Sequence, residues 1–201
     1  MNDAKGKAIQ IICDEHRVIS AVLHGLKYLA REAMDASVKP DFTVFRAMIH
    51  YIDEFPERLH HPKEDQHLFA RLAARSREAL GLVDYLRAEH EMGARLIRNL
   101  EHIMLSFEQR WPRGAGEFNG AVQDYADFEW NHMRKEEKEL LPLAERHLEA
   151  DDWEAIAQAF AANTDPIVKA TEKEFEKLFS RIASLAPDPI GLGERWKKDT
   201  A

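Results

Sequence analysis

The chain contains the stretch His60-His61-Pro62-Lys63-Glu64-Asp65, and its pattern returns as His132-Met133-Arg134-Lys135-Glu136-Glu137. Each stretch reads histidine, two variable residues, lysine, glutamate and a further acid, and an apolar pair follows both at the same offset. Residues four apart on an α-helix share one face, so the histidine and the glutamate of each stretch project together. The pattern predicts two helices that each present a His-x-x-x-Glu pair.

A lone histidine, preceded by glutamate, stands before each stretch. His16 precedes His60 by nearly the same number of residues as His90 precedes His132. The chain therefore reads as one helical hairpin that occurs twice, with its histidines and its glutamate at matching heights.

The segments between the Gly- and Pro-rich clusters are rich in Ala, Leu, Glu, Arg and Met, which favour helices. No stretch alternates apolar and polar residues long enough to indicate a sheet. We predict five helices, at about 7–34, 41–74, 79–110, 117–148 and 152–184, the last broken near Pro166.

The short connections favour an all-α fold, an antiparallel up-down-up-down four-helix bundle with an additional C-terminal helical segment. Residues 1–150 would form the bundle, and 151–201 a helix and an extended tail that pack on it or on a second subunit. Pro56 and Pro62 interrupt the second segment, so we expect a kink or a local break between Phe55 and Lys63.

Composition narrows the function classes. The 201 residues carry a net charge of −8, which argues against a dedicated nucleic-acid binder. Cys13 is the single cysteine, which excludes an internal disulfide and a cysteine-rich metal site. With no signal peptide and no long apolar run, we expect a cytoplasmic protein that does not bind membranes.

A helical wheel at about 100° per residue directs six metal-binding side chains into one core. They are His16, His60, Glu64, His90, His132 and Glu136. The same wheel turns His61 and Asp65 towards solvent.

Two buried carboxylates at one level would repel each other, and no Lys or Arg shares their stripes. A pair of divalent cations resolves this conflict, as in carboxylate-bridged sites of helical bundles. We therefore expect Glu64 and Glu136 to bridge two ions, with His16 and His60 on one and His90 and His132 on the other.

The weaker signals in the sequence leave alternatives open. A single histidine on an apolar face is more often structural than a ligand, and only the repeated arrangement favours a metal site. Glu129, one turn before His132, would be either an extra ligand or a group that orients one. The remaining histidines are expected to be structural or solvated.

The combined motif resembles the hemerythrin-like, HHE cation-binding family, over roughly residues 8–147. The matching positions are His16, His60-x-x-x-Glu64, His90 and His132-x-x-x-Glu136. The resemblance implies two non-haem iron ions with bridging carboxylates, manganese and zinc being the other metals considered. It also implies a small ligand: dioxygen, nitric oxide or peroxide.

The sequence departs from the oxygen-carrying members of that family at two positions. Carriers have a fifth histidine one turn after the third-helix ligand, where this chain has Ala94, and an aspartate where it has Glu136. A missing ligand leaves a coordination position to water or to another side chain. This favours reaction with small oxidants or metal exchange over pure oxygen carriage.

Two functions from different classes remain at this point, beside a third possibility, a bundle whose polar core no longer has a function. The first is a di-iron protein that binds or reacts with the small ligand. The alternative is a non-catalytic iron-handling or oxygen- or redox-sensing module that acts through a protein partner. The apolar face of the C-terminal segment, including Trp153, Phe160 and Phe175, is a candidate homodimer contact.

Overall fold

The computed structural model describes residues 3–161, and this part of the chain is helical with no strand. Helix α1 is Asp3–Glu32, α2 covers residues 42–75, α3 is Leu80–Arg110, α4 covers 115–147 and α5 is Ala150–Ala161. Helices α1 to α4 pack as a bundle in which short connections join neighbours. The all-α prediction is confirmed. Both ends of each of the first four helices lie within four residues of the predicted ends.

Helices α2 and α4 change their hydrogen-bond register at the repeated motif. In α2, α-helical Phe42–Ile52, His61–Lys63 and Ala70–Arg75 alternate with π-helical Asp53–His60 and Glu64–Phe69. In α4, π-helical Glu136–Leu140 lies between α-helical Ala115–Lys135 and Leu141–His147. All three π segments begin or end at a residue of the motif, and such segments are frequent at functional sites.

The chain stays helical between Phe55 and Lys63, so the expected break does not occur, although α-helical hydrogen bonding gives way to a π segment there. The expected kink stays a prediction. Pro56 lies inside the first π segment and Pro62 in the short α-helical turn that follows. The i to i+5 pattern of a π-helix already departs from the α-helical ladder, so a residue without an N–H is accommodated in a wider turn.

Both long composite helices have clear starting signals. The Asp41 side chain accepts a hydrogen bond from the Thr43 backbone N–H at 2.9 Å and so caps α2. Gly114 precedes α4 with a φ of +98°, a conformation that residues with a side chain rarely adopt. A Cβ at this position would also lie 3.3 Å from the Cα of Phe107.

A buried polar layer divides the core into two hydrophobic clusters. The first cluster includes Leu23, Phe45 and Phe118, and the second includes Leu68 and Leu140. Along α1, Ile12 belongs to the second cluster and Ile19 to the first, and His16 lies between them. Each bundle helix thus passes from one apolar cluster to the other through the level of the candidate ligands.

Helix α5 covers the second cluster. Its Trp153, Ile156 and Phe160 are buried there, and the helix packs mainly against α1. The predicted helix after residue 161, its break at Pro166, the apolar residues Phe175, Leu178 and Phe179, and the tail with Trp196 all lie outside the described residues. No helix within residues 3–161 has the length and apolarity that a membrane span requires.

Candidate metal centre

All four bundle helices contribute to the buried polar layer. The structure brings together the six side chains that the sequence singled out: His16 from α1, His60 and Glu64 from α2, His90 from α3, His132 and Glu136 from α4. None of the six is more than 6% exposed.

The histidines form two pairs. His16 Nε2 lies 3.0 Å from His60 Nε2, and His90 Nε2 lies 3.0 Å from His132 Nε2. The two pairs match the two halves of the sequence repeat, so each hairpin supplies one pair.

The other ring nitrogen of each histidine faces a carboxylate. The Nδ1 distances are 3.0 Å from His16 to Glu137, 2.6 Å from His60 to Glu15, 3.2 Å from His90 to Asp65 and 3.0 Å from His132 to Glu89. Because an ionised carboxylate only accepts hydrogen bonds, these contacts favour the tautomer with the proton on Nδ1. The Nε2 lone pairs of each pair then point at each other across 3.0 Å, which is unfavourable unless a proton or a cation lies between them.

The two central carboxylates each face both histidine pairs. Glu64 directs Oε1 towards His60 Nε2, at 3.4 Å, and Oε2 towards His90 Nε2, at 3.6 Å. Glu136 directs Oε2 towards His16 Nε2, at 3.3 Å, and Oε1 towards His132 Nε2, at 3.2 Å. All four oxygens are buried without a hydrogen-bond partner, so their negative charge requires positive charge at the facing Nε2 atoms.

The pKa values of the histidines and glutamates in this layer are set mainly by the charges of their neighbours. Burial disfavours the imidazolium form, but the surrounding carboxylates outweigh it and raise the pKa of His90 to about 12 and of His132 to about 10. The pKa values of Glu64 and Glu136 are held well below the usual range, because nearby imidazoles outweigh burial. The layer therefore strongly favours positive charge at the Nε2 positions, which protons or metal ions can supply.

Two sets of four donors have the spacing of a metal site. His16, His60, Glu64 and Glu136 form one set, and the other contains His61, Glu64, His90 and His132; within each set the ligand atoms lie within 4.8 Å of one another. A family model, described as the hemerythrin HHE cation binding domain, matches residues 7–144. The chain belongs to this hemerythrin family. A comparison with curated proteins found no match.

Within this hemerythrin HHE domain, the outward placement of His61 is wrong. His61 is 3% exposed, and its ring stacks on His90 with centroids 4.3 Å apart. The wheel failed because it assumed 100° per residue, whereas residues 53–60 are π-helical and turn less per residue. Asp65, also expected in solvent, is half-buried and faces His90.

A second acidic pair, Glu57 and Glu129, lies beside the layer. Both Glu129 oxygens are buried without a hydrogen-bond partner, and burial followed by the charge of Glu57 raises the Glu129 pKa to about 7. The Tyr125 hydroxyl donates to Glu57 Oε1 at 3.2 Å. Gly93 leaves room for this pair, because a Cβ there would lie 2.9 Å from Glu57 Oε1 and 3.0 Å from Glu129 Oε1.

Sequence reasoning found Glu129 but missed Glu57. The signal was present, because each glutamate stands three residues before the histidine of its motif, His60 or His132. The repeat therefore extends one turn further towards the N-terminus than the six-residue stretches show.

A surface groove of about 930 Å³ reaches the layer from the side of α1 and α4. Its lining includes His16 and Glu137 as well as Arg17, Lys27 and Arg134. Further out, exposed His24 packs against Trp130 with ring centroids 4.4 Å apart, away from the metal-binding groups. The groove therefore adjoins the His16–His60 pair at His16, and four of its twelve lining residues are lysine or arginine.

Proposed function

We propose that this protein holds two iron ions at the buried layer and binds or reacts with a small ligand there: dioxygen, nitric oxide or peroxide. One observation carries the proposal. Glu64 and Glu136 each turn one oxygen to either histidine pair, which is the arrangement that two carboxylates need to bridge two ions.

The residues present fit such a pair of ions. His16 and His60 would hold one ion, and His90 and His132 the other, with Glu64 and Glu136 shared between them. Imidazole nitrogens combined with carboxylate oxygens suit first-row transition metals. The resemblance of this chain to hemerythrins favours iron over manganese or zinc.

The carboxylates on the outer side of the histidines orient the rings for metal binding. Glu137, Glu15 and Glu89 accept hydrogen bonds from Nδ1 of His16, His60 and His132, which orients each ring and leaves Nε2 free. Metal-binding histidines in proteins usually have such a partner, and its loss typically weakens metal affinity 10- to 100-fold. When bound, a pair of iron ions supplies redox chemistry towards dioxygen, nitric oxide and peroxide that no side chain here can supply.

Access is consistent with a small ligand. The groove beside His16 leads towards the layer, while the layer itself is covered by the two hydrophobic clusters. On this proposal a small molecule would enter from the groove side, and the buried surroundings would keep bulk water away from the Nε2 positions.

Iron content and ligand binding test this function directly. Protein loaded with ferrous iron without oxygen should contain about two iron ions per chain, and after oxidation should show a near-ultraviolet band that azide perturbs. His60→Ala should lose this band, whereas the control His50→Ala, at an exposed position of the same helix, should keep it. Fewer than one ion per chain after loading would contradict the proposal.

Rapid mixing of the ferrous protein with oxygen separates the candidate activities. A stable oxygenated form would indicate a carrier or a sensor, and catalysed loss of peroxide would indicate an enzyme. Oxidation without turnover would favour the sensing or iron-handling alternative.

A further inference from the structure

His61 is buried in the polar layer without a hydrogen-bond partner for either ring nitrogen. One of its nitrogens lies within 4.8 Å of the ligand atoms of Glu64, His90 and His132. A buried imidazole with two unsatisfied nitrogens costs free energy unless a further group binds it.

The surroundings of His61 repeat those of the four paired histidines. Its Nδ1 lies 3.4 Å from Glu57 Oε2, as the other four Nδ1 atoms lie near a carboxylate. Glu57 is itself fixed by the Tyr125 hydroxyl, and Gly93 provides the space that its carboxylate occupies. A proton on Nδ1 facing Glu57 leaves Nε2 as the nitrogen that can bind a cation.

The corresponding positions elsewhere in the bundle have no imidazole that could bind a metal ion. The α3 residue one turn after His90 is Ala94, which has no metal-binding atom. In the second half of the repeat the residue that corresponds to His61 is Met133, which is buried in the first hydrophobic cluster and also lines the groove. The two histidine pairs therefore have unequal surroundings: the His90–His132 pair has a third imidazole nearby, and the His16–His60 pair has a thioether and an open groove.

We propose that His61 is a fifth histidine of the centre, which binds the His90–His132 ion through Nε2 and is positioned by Glu57. The His16–His60 ion is then the one with fewer protein ligands. This inference rests on the proposed two-ion centre.

The variant His61→Met tests the role of His61, because it installs the residue that the other half of the repeat already has. Wild type should bind two Mn²⁺ ions and, with iron, one azide per chain. The variant should hold one ion at least about tenfold more weakly, by competition with a chelator, and should bind a second azide. The matched control His50→Met, at an exposed position of α2, should behave as wild type.

Glu57→Gln tests the positioning role separately. It keeps His61 and a hydrogen-bond acceptor but removes the charge, so both ions should still bind, with the His90–His132 ion losing about tenfold in affinity. Unchanged affinity in both variants, with one azide per chain, would overturn the proposal while leaving the two-ion centre intact. A wild type that binds no metal would instead refute the proposed function and this inference with it.

A crystal structure of the Mn²⁺-loaded wild type decides the question if His61→Met does not fold. A His61 nitrogen at about 2.0–2.4 Å from an ion supports the proposal. A ring turned away from both ions refutes it.

Discussion

Each inward histidine is oriented by a carboxylate that is adjacent in sequence to a different candidate ligand. Glu15 precedes His16 but bonds His60, and Glu137 follows Glu136 but bonds His16. Two consecutive residues on one helix thus have different roles. One is a candidate metal ligand, and the other orients a histidine ring on a neighbouring helix. Substitution at one of these outer acids should therefore affect a histidine on a different helix.

Glu129 gives a pH-dependent prediction at the residue scale. Its pKa of about 7 in the folded protein lies above the ordinary value of 4.5, so the native state binds this proton more tightly than the unfolded state. The metal-free protein should accordingly lose stability from this group as the pH rises from 4.5 through 7. Glu129→Gln should raise the free energy of unfolding relative to wild type more at pH 8 than at pH 5, by at most about 3 kcal/mol.

Urea unfolding of the metal-free proteins at both pH values provides the measurement. Glu91→Gln is the control, because the Glu91 side chain is 78% exposed and should show no such difference. An equal effect of Glu129→Gln at pH 5 and pH 8 would show that the Glu129 carboxylate is not destabilised by burial.

At the scale of the helix, the π segments decide which residues face the layer. Because residues 53–60 are π-helical, His60 and His61 both turn inward, and Glu57 also reaches the layer. A uniform α-helix would have placed His61 on the outer surface. The register change is thus what adds a fifth imidazole to the polar layer.

Gly114 supports a prediction about how α4 begins. Replacement by alanine should destabilise the protein by roughly 1–2 kcal/mol, because the residue has a positive φ and its Cβ would approach the Phe107 backbone. Gly116→Ala is the matched control: it lies two residues later inside the helix with no atom near its Cβ, and should be neutral or stabilising by up to about 1 kcal/mol. Thermal unfolding of both variants measures the difference, and equal melting temperatures would contradict the assigned conformation of Gly114.

At the scale of the whole molecule, the polar layer lies between two hydrophobic clusters and is tied to all four bundle helices. In the metal-free protein the raised pKa values of the four inward histidines mean that protons provide the positive charge at Nε2. That contribution to stability is fully present below the ordinary histidine pKa of 6.5 and is lost as the pH rises through the folded values, about 10 for His132 and about 12 for His90.

Iron uptake should therefore release protons and stabilise the fold. We expect up to about two protons per chain to be released at pH 7, one from between the Nε2 atoms of each histidine pair, and metal affinity to rise between pH 6 and pH 8. Calorimetry in buffers of different ionisation enthalpy measures the release, and a chelator should lower the melting temperature of loaded protein. A binding enthalpy that is the same in all buffers would mean that the Nε2 atoms do not carry protons before the metal binds.

The repeat allowed much of this structure to be predicted from particular residues. His16, His60, His90 and His132, with Glu64 and Glu136, converge as expected because their spacing keeps each on the apolar stripe of its helix. The error at His61 has one cause: the wheel assumed a constant rotation per residue, and the sequence gives no direct sign of an i to i+5 register. Glu57 lies one turn before the six-residue motif, so the motif by itself does not predict it, although Glu129 stands at the same offset before His132.

The sequence by itself determined the all-α fold, the helix order and the six inward side chains, because helix periodicity and motif spacing are local properties of the chain. Only the tertiary structure decided how Nδ1 and Nε2 are shared between carboxylates and the centre, which oxygen faces which histidine pair, and which pair faces the groove. These features depend on distances of about 3 Å between helices, and such distances are fixed by packing and by the local change to π-helical register rather than by the spacing of residues along one helix.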